Sequence, residues 1–194
     1  SVGTAESMHL VADAIARQNG KKIVVLSASY GITDKLIHIT NSLPEDLETA
    51  HSIYSEIETQ MVQFCDELQL SNNSKDKVFS LLQELNQLIY SVELLEYLST
   101  NVANRIVSYG EMLSTTIFSE YYNQNYSCKF LNITDYLIYD NKTGEYSLER
   151  KSEIFKHLES YNTIITQGFI CKNSEGNIAN LGRGGSDYSA AIFA

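Results

Sequence analysis

One stretch of the chain decides its fold class: Ile23-Val24-Val25-Leu26, followed by Ser27-Ala28-Ser29-Tyr30-Gly31-Ile32-Thr33-Asp34. The first four residues are apolar and mostly β-branched. They predict a buried strand, parallel to its neighbours because both of its faces must be covered. The next residues are small and polar, and a helical pattern resumes after them. A strand, a small-residue turn and a helix form the unit at which α/β proteins bind ligands.

Helical and strand patterns alternate along the rest of the chain. Helices are predicted over 111–123 and 149–158. Strands are predicted over 129–131 and 163–166, with one more starting at Phe169 and Ile170. An amphipathic helix that ends at Gly20 is predicted to bury one face, comprising Met8, Leu10, Val11, Ala14 and Ile15. The alternation predicts an α/β fold, and no linker composition indicates a domain boundary.

The longest helical pattern runs over 47–98. Apolar residues recur there at spacings of one, three and four, as in Leu81, Leu82, Leu85, Leu88, Ile89, Val92 and Leu95. Asn72-Asn73-Ser74 predicts a turn between two helices, with Ser74 as the N-cap of the second. The pattern favours a helical hairpin within the domain, and a coiled coil to a partner is the alternative.

Composition excludes several classes of partner and site. The formal net charge is −10, which repels phosphate backbones and anionic membranes, so neither nucleic acid nor a membrane is an expected partner. The three cysteines are far apart and form no C-x-x-C pair, and the four histidines are scattered, so no disulfide framework or metal site is predicted. With no signal peptide or transmembrane run in the sequence, we expect a cytoplasmic protein.

The last segment, Leu181–Ala191, has the composition of a ligand loop. Its glycines permit positive φ and close approach of the backbone to a ligand. Ser186 or Asp187 can cap the helix that follows, whose first N–H groups would attract an anion. Arg183 offers a planar fork for a carboxylate or phosphate. A glycine-rich turn with a surface arginine is the equally weighted alternative. The spacing is that of neither a P-loop nor a Rossmann dinucleotide turn.

Two other clusters carry polar groups. Hydroxyl groups crowd the end of the first strand between Ser27 and Thr33, and Glu111 lies in the cluster 108–115. Considered alone, Glu111 is predicted to open a helix as a capping residue, where its charge favours the macrodipole.

Taken in order, these clusters resemble the aspartokinases of the amino acid kinase superfamily. The family patterns V-V-x-S-A-x-x-G-x-T, G-E-x-x-S, I-T-Q-G-F and L-G-R-G-G-S-D-Y-[ST]-A-A are met at 24–33, 110–114, 165–169 and 181–191. Ser1-Val2 matches the end of K-F-G-G-T-S-V. The sequence Leu26-Ser27-Ala28-Ser29 is most similar to that of the lysine-sensitive bacterial branch.

The resemblance implies a three-layer fold with a mainly parallel sheet between helices. It also implies a reaction that moves the γ-phosphoryl group of ATP, with Mg²⁺, onto the β-carboxylate of L-aspartate. The product would be 4-phospho-L-aspartate, in the first step of lysine, threonine and methionine biosynthesis. That carboxylate has a reference pKa of about 3.9, so it is ionised at neutral pH and needs no general base. Catalysis would come from positioning and charge neutralisation.

Carried over residue by residue, the resemblance places the α-carboxylate of aspartate on Arg183 and its α-ammonium on Glu111. Arg183 and Asp187 form the implied catalytic set, with Asp187 ordering the site. The implied substrate-binding residues are Ser27, Thr33, Glu111, Arg183, Gly184, Gly185 and Ser186. The last three of these also form the implied nucleotide-binding loop.

Residues 1–194 correspond to the N-terminal part of such a catalytic domain. The family lysine of K-F-G-G-T, the remainder of the nucleotide pocket and the ACT-type regulatory domains are absent, so we expect no turnover by this chain alone. A homo-oligomer, formed through other parts of a longer chain, is the expected assembly. Two alternatives stay open: another amino acid kinase, disfavoured by 166–169 and 108–114, and a catalytically dead binding module. Lysine as feedback inhibitor and fusion to a homoserine dehydrogenase are not decided by these residues.

Overall fold

A computed structural model describes residues 2–194, so Ser1, the first residue of the match to K-F-G-G-T-S-V, lies outside the described residues. The chain alternates helices and strands, which confirms the α/β class. The helices are α1 Ala5–Arg17, α2 Ile32–Ser42, α3 Leu47–Glu67, α4 Asn72–Leu95, α5 Thr100–Asn125, α6 Lys151–Ser160 and α7 Gly185–Phe193. The strands are β1 Lys22–Leu26, β2 Lys129–Leu131, β3 Leu137–Tyr139, β4 Tyr146–Leu148, β5 Thr163–Gln167, β6 Ile170–Asn173 and β7 Ile178–Asn180. Over residues 2–194, no helix combines the length and the apolar character needed to cross a membrane.

The first sheet is fully parallel, in the order β1-β5-β2. The predicted parallel strand over 23–26 is therefore confirmed, with Leu26 paired to Gln167. Every residue of the central strand β5 is buried, whereas β1 lies at an edge and is mostly half-buried. Because all three strands run the same way, their carboxyl ends meet at one edge of the sheet.

The second sheet is mixed, in the order β4-β3-β6-β7. β3 and β6 are parallel, and the two outer pairs are antiparallel. Its strands are three or four residues long, too short to show a period of two in the sequence. Phe169 does not begin β6, since its φ of 63° is left-handed and the strand starts at Ile170. It instead forms the link between the two sheets.

Helix α1 ends at Arg17, before the predicted Gly20, and its buried face differs from the predicted one. Met8 and Ile15 are buried as predicted, and Val11 is half-buried. Leu10, by contrast, is 66% exposed, and Ala14 is exposed too. The buried residues, Ala5, Met8, Ala12 and Ile15, follow spacings of three and four that place them on one helical stripe.

Helices α3 and α4 form the predicted hairpin. Their buried residues join the main core, to which α5 also contributes, so the hairpin packs within the domain. The predicted N-cap is wrong by three residues: Ser71 caps α4 by accepting a hydrogen bond from the Ser74 backbone N–H at 3.2 Å. The Ser74 hydroxyl instead donates to Glu120 at 2.8 Å, and Lys77 binds the other oxygen of that carboxylate at 2.7 Å.

Helix α5 is longer than the predicted 111–123. It begins after its N-cap Ser99, and thirteen of its residues are buried. The polar residues Asn101, Asn104 and Arg105 hide its first turns from a search for apolar periodicity. Helix α6 starts at Lys151, two residues after the predicted start.

Replacing Ser71 by alanine should lower the free energy of unfolding by about 1 kcal/mol, because the first turn of α4 would lose its side-chain acceptor. Ser80→Ala is the matched control, since its exposed hydroxyl bonds only within the helix, to the Asp76 carbonyl. Urea denaturation of both variants measures the difference. Equal losses in the two variants would contradict the assignment of Ser71 as the cap.

Candidate active site

The candidate site lies at the carboxyl edge of the parallel sheet. There β1 ends at Leu26 and β5 at Gln167, and the Gly168 N–H donates to the Leu26 carbonyl at 2.8 Å. This bond sets the loop that begins at Ser27 beside the loop that begins at Gly168. Two of the sequence clusters therefore meet at one place, as the parallel topology requires.

Helix α5 brings the third cluster to the same edge through a glycine. A Cβ at Gly110 would lie 3.0 Å from the Ala28 Cβ and 3.3 Å from the Leu36 Cδ1, so the helix can approach the β1–α2 loop this closely because Gly110 has no side chain. The next residue, Glu111, accepts a hydrogen bond from the Ala28 backbone N–H on its Oε1 at 3.2 Å. The third cluster thus joins the other two.

Glu111 is a buried carboxyl group with one unsatisfied oxygen. It is 3% exposed, and its Oε2 has no hydrogen-bond partner among the described residues. Burial raises the pKa of Glu111 to about 7, and the Ala28 N–H acts in the opposite direction. The capping role predicted for Glu111 in isolation is wrong, because α5 begins eleven residues earlier, at Thr100. A buried carboxylate with a free oxygen can bind a cationic ligand group.

The glycine-rich segment docks on the end of β5. A Cβ at Gly168 would lie 2.7 Å from the Ser186 Cα, so the start of α7 packs directly on the β5 backbone. The Leu181 N–H donates to the Phe169 carbonyl at 2.7 Å, and the Phe169 N–H donates to the Ser189 Oγ at 3.2 Å. These contacts hold the loop at the same edge as Glu111.

Helix α7 starts without a side-chain cap. Its N-cap is Gly184, with a left-handed φ of 77°, so the prediction that Ser186 or Asp187 caps it is wrong. The chain becomes helical at Gly185, which is two residues too early for Ser186 to be the N-cap and three too early for Asp187. Half-buried Ser186 and exposed Asp187 lie in the first turn, where a carboxylate favours the helix dipole.

Helix α2 starts in the same way. Gly31, with a φ of 76°, is its N-cap and provides no side-chain cap, and half-buried Thr33 lies in its first turn. The first N–H groups of a helix have no intrahelical acceptor, so an uncapped start is suited to bind an anion. The start of α2 follows β1, and the start of α7 packs on the end of β5, so both lie at one edge of the sheet.

Arg183 projects from the loop between two left-handed glycines, Gly182 and Gly184. It is exposed and forms no ion pair with any residue in 2–194. Ser27 is also exposed, at the end of β1. The structure thus gathers all the sequence-predicted site residues at one edge, with Glu111 buried and Arg183 open to solvent, and without a direct bond between those two side chains. Their individual roles stay predictions.

Three polar residues at this edge were not predicted to act there. The Gln167 Oε1 accepts from the Ile133 N–H at 2.9 Å, the Ser114 Oγ donates to the Ser27 carbonyl at 2.8 Å, and Ser189 binds Phe169 as described. All three lie within the matched motifs, but a motif does not indicate which groups its residues hydrogen-bond. Within residues 2–194, no group of three or more His, Cys, Asp or Glu side chains is arranged to hold a metal ion.

Comparison with known proteins agrees with this architecture. A model of the amino acid kinase family matches residues 1–194. The chain is 29% identical to lysine-sensitive aspartokinase 3 of Escherichia coli, over all of this chain and 44% of that protein. It is 28% identical to an aspartokinase of Chlamydia pneumoniae, over all of this chain and 42% of that protein.

Solved structures extend the comparison. Crystal structures of E. coli aspartokinase III, one with aspartate and ADP and one with lysine and aspartate, each superpose with a TM-score of 0.87 at 26% identity. Each match covers all of this chain and 44% of the other. The chain therefore spans less than half the length of these relatives, and its fold is that of the part of them that it matches.

Replacing Glu111 by glutamine should change how stability depends on pH. The pKa of Glu111 rises from 4.5 to about 7 on folding, so the folded protein holds this proton more tightly than the unfolded chain. The free energy of unfolding should therefore fall, by on the order of 2–3 kcal/mol, as pH rises through that window. Glu111→Gln removes this loss, so the variant should gain stability relative to the original protein between pH 5 and pH 8.

Denaturation with urea at a series of pH values measures this difference. Glu175→Gln, at an exposed turn, is the control and should follow the original protein at every pH. A constant difference between Glu111→Gln and the original protein across the range would show that Glu111 keeps an ordinary pKa.

Proposed function

The chain belongs to the amino acid kinase family, and from that premise we propose that it carries the aspartate site of an aspartate kinase. The reaction transfers the γ-phosphoryl group of ATP to the β-carboxylate of L-aspartate and yields 4-phospho-L-aspartate, at the start of lysine, threonine and methionine biosynthesis. One observation carries the proposal. Among residues 2–194, a buried carboxylate with one oxygen that has no hydrogen-bond partner lies at the same sheet edge as two uncapped helix starts and an arginine that forms no ion pair.

Glu111 is assigned to the α-ammonium group of the substrate. Its Oε1 is occupied by the Ala28 N–H, so the unsatisfied Oε2 is the oxygen available to a ligand. Burial disfavours the ionised form of this carboxyl group, and a neighbouring ammonium group favours it. Substrate binding should therefore displace the proton that Glu111 holds for part of the time near neutral pH.

Arg183 is assigned to the α-carboxylate. A guanidinium fork binds a carboxylate through two parallel hydrogen bonds, and Arg183 has no competing ion pair within residues 2–194. With both ends of the zwitterion held, the β-carboxylate is left free as the nucleophile. It is already ionised, so these residues need only orient it.

We assign the uncapped starts of α2 and α7 to binding the negatively charged groups of the reactants. Ser27 and Thr33 line the first of these starts, and the loop of Gly184, Gly185 and Ser186 forms the second, which would receive phosphoryl oxygens of ATP. Asp187, in the first turn of α7, is assigned to ordering this loop. Mg²⁺ would neutralise the nucleotide phosphates when bound, but the described residues offer it no ligand cluster, and we assign it no ligand here.

We propose that residues 1–194 work as part of a longer protein. Since the chain spans less than half of its relatives, we assign residues 1–194 to the N-terminal part of the catalytic domain. The remaining nucleotide contacts, the regulatory domains and the oligomer contacts are assigned to the remainder of such a protein, working in the cytoplasm. On this view the 194-residue chain binds aspartate without completing turnover.

The decisive assay is formation of aspartyl hydroxamate by the full-length protein with ATP, Mg²⁺ and hydroxylamine. Aspartate should give signal, and glutamate and acetylglutamate should give none. Signal with either alternative instead of aspartate would assign a different amino acid kinase. Folded protein without signal from any of the three would favour a non-catalytic binding module.

Replacing Arg183 by lysine keeps the charge and removes the fork. In the full-length protein we expect kcat/KM for aspartate to fall by an amount equivalent to about 2–5 kcal/mol, because bound substrate would bury this charge pair. Arg17→Lys, on the exposed end of α1, is the control and should leave kcat/KM unchanged. An unchanged kcat/KM in Arg183→Lys would reject the assignment.

Replacing Glu111 by glutamine should weaken aspartate binding far more than ATP binding, since only aspartate carries an ammonium group for this side chain. In the original protein, aspartate affinity should rise with pH up to about 7, as Glu111 ionises, and then level off. The glutamine variant should lack that rise. Titration calorimetry of the full-length protein with each ligand measures both effects, and equal weakening of the two ligands would make Glu111 a structural residue.

A further inference from the structure

A single peptide unit at the end of β1 is held at both of its polar groups by helix α5. The carbonyl of Ser27 accepts a hydrogen bond from the Ser114 Oγ at 2.8 Å, and the N–H of Ala28 donates to the Glu111 Oε1 at 3.2 Å. These are the two ends of one planar amide. Glu111 and Ser114 are three residues apart and so lie on one face of the helix.

The Ser114 bond differs from those of the other buried serine and threonine hydroxyl groups on α5, which bond to carbonyls of the helix itself. Ser119 donates to the Thr116 carbonyl at 3.1 Å, and Thr115 donates to the carbonyl of Glu111, so both bonds stay within the helix. The 2.8 Å bond of Ser114 leaves the helix and reaches the strand end, while its second contact, with the Glu111 carbonyl, is longer, at 3.3 Å. Ser114 is fully buried, so water does not replace this bond.

We propose that Ser114 is a positioning residue: by holding the Ser27 carbonyl, it orients the Ser27–Ala28 peptide so that its N–H engages Oε1 of Glu111 and leaves Oε2 for the ligand. The identity of that ligand, the ammonium group of aspartate, rests on the proposed function. Ser114 itself touches neither substrate nor reacting atoms in this scheme.

The consequence of losing this bond follows from peptide geometry. Without the hydroxyl, the amide plane is free to rotate about its flanking bonds, and rotation takes the Ala28 N–H away from Oε1. That N–H opposes the effect of burial on the pKa of Glu111, so its departure raises the pKa further. Burial, the Ala28 N–H and the backbone N–H of Glu111 itself are the influences on this pKa, and no ionisable side chain among the described residues is one of them.

The first test needs no ligand. Glutamate carboxyl carbons are labelled with ¹³C, the Glu111 resonance is assigned from its absence in Glu111→Gln, and its titration is followed by NMR. In Ser114→Ala the midpoint should move to higher pH than in the original protein. The matched control is Ser119→Ala, an equally buried serine on the same helix, in which the midpoint should not move.

The second test measures ligands by calorimetry at neutral pH. Ser114→Ala should bind L-aspartate about tenfold more weakly, the effect of one hydrogen bond to a charged group, while ATP affinity stays unchanged. An unmoved Glu111 midpoint together with unchanged aspartate affinity in folded Ser114→Ala would overturn the proposal, as would equal weakening of both ligands. Should the original protein fail to bind aspartate while the midpoint moves, the proposed function fails and the positioning role stands.

A second variant covers a failure of Ser114→Ala to fold. Ser114→Cys changes a single side-chain atom and fills the site, but replaces the hydroxyl by a weaker donor, so its Glu111 midpoint should lie above that of the original protein. A folded Ser114→Cys that titrates as the original protein does would overturn the proposal.

Discussion

The close approach of α5 to the end of β1 is the constraint on which the rest of this structure depends. Gly110 makes it possible, because any side chain there would meet Ala28 and Leu36. The same helix carries core residues against α2, α3 and α4 and lies against β5. A single element thus joins the helical hairpin to the sheet and delivers a carboxylate to the sheet edge. A shift of α5 away from the end of β1 would therefore disturb the core packing and the candidate site together.

Burial of the Glu111 carboxyl group is unfavourable for folding, and the structure offsets only part of its cost. The Ala28 N–H satisfies one oxygen, and the other has no partner among the described residues. Polar groups of this kind are rare in protein interiors unless a ligand or a mechanism requires them. Their presence at a sheet edge is therefore better explained by ligand recognition than by stability.

The net charge of −10 and an anion-binding site are compatible because they act over different distances. Net charge governs long-range encounter, and it is screened within about 10 Å at ordinary ionic strength. The proposed site instead relies on oriented N–H groups at the starts of α2 and α7 and on one arginine. These act at hydrogen-bond distance, so an acidic protein can still hold a carboxylate or a phosphoryl group locally.

A left-handed glycine explains why the predicted cap of α7 was wrong. Gly184 at α7 and Gly31 at α2 occupy the N-cap position and turn the chain into the helix without a side chain. A sequence rule that looks for Ser, Thr, Asp or Asn before a helix places the cap one or more residues too late in this situation. The first N–H group of each helix bonds to a loop carbonyl, at Ser29 and Gly182, and the missing cap leaves the N–H groups of the next two helical residues without a side-chain acceptor.

The sequence by itself determined the α/β class, the buried strands β1 and β5 and the helical hairpin, because each depends on local runs or periodicities of apolar residues. Its motifs also identified the family and the residues of the candidate site. Only the tertiary structure decided that Glu111 lies mid-helix and buried, that Ser71 is the α4 cap, and that the Ser27–Ala28 peptide is held by Glu111 and Ser114. These features join residues more than eighty positions apart, or depend on where a helix begins under tertiary packing. Local patterns carry no record of such contacts, since the energy that selects them arises only once the elements have packed.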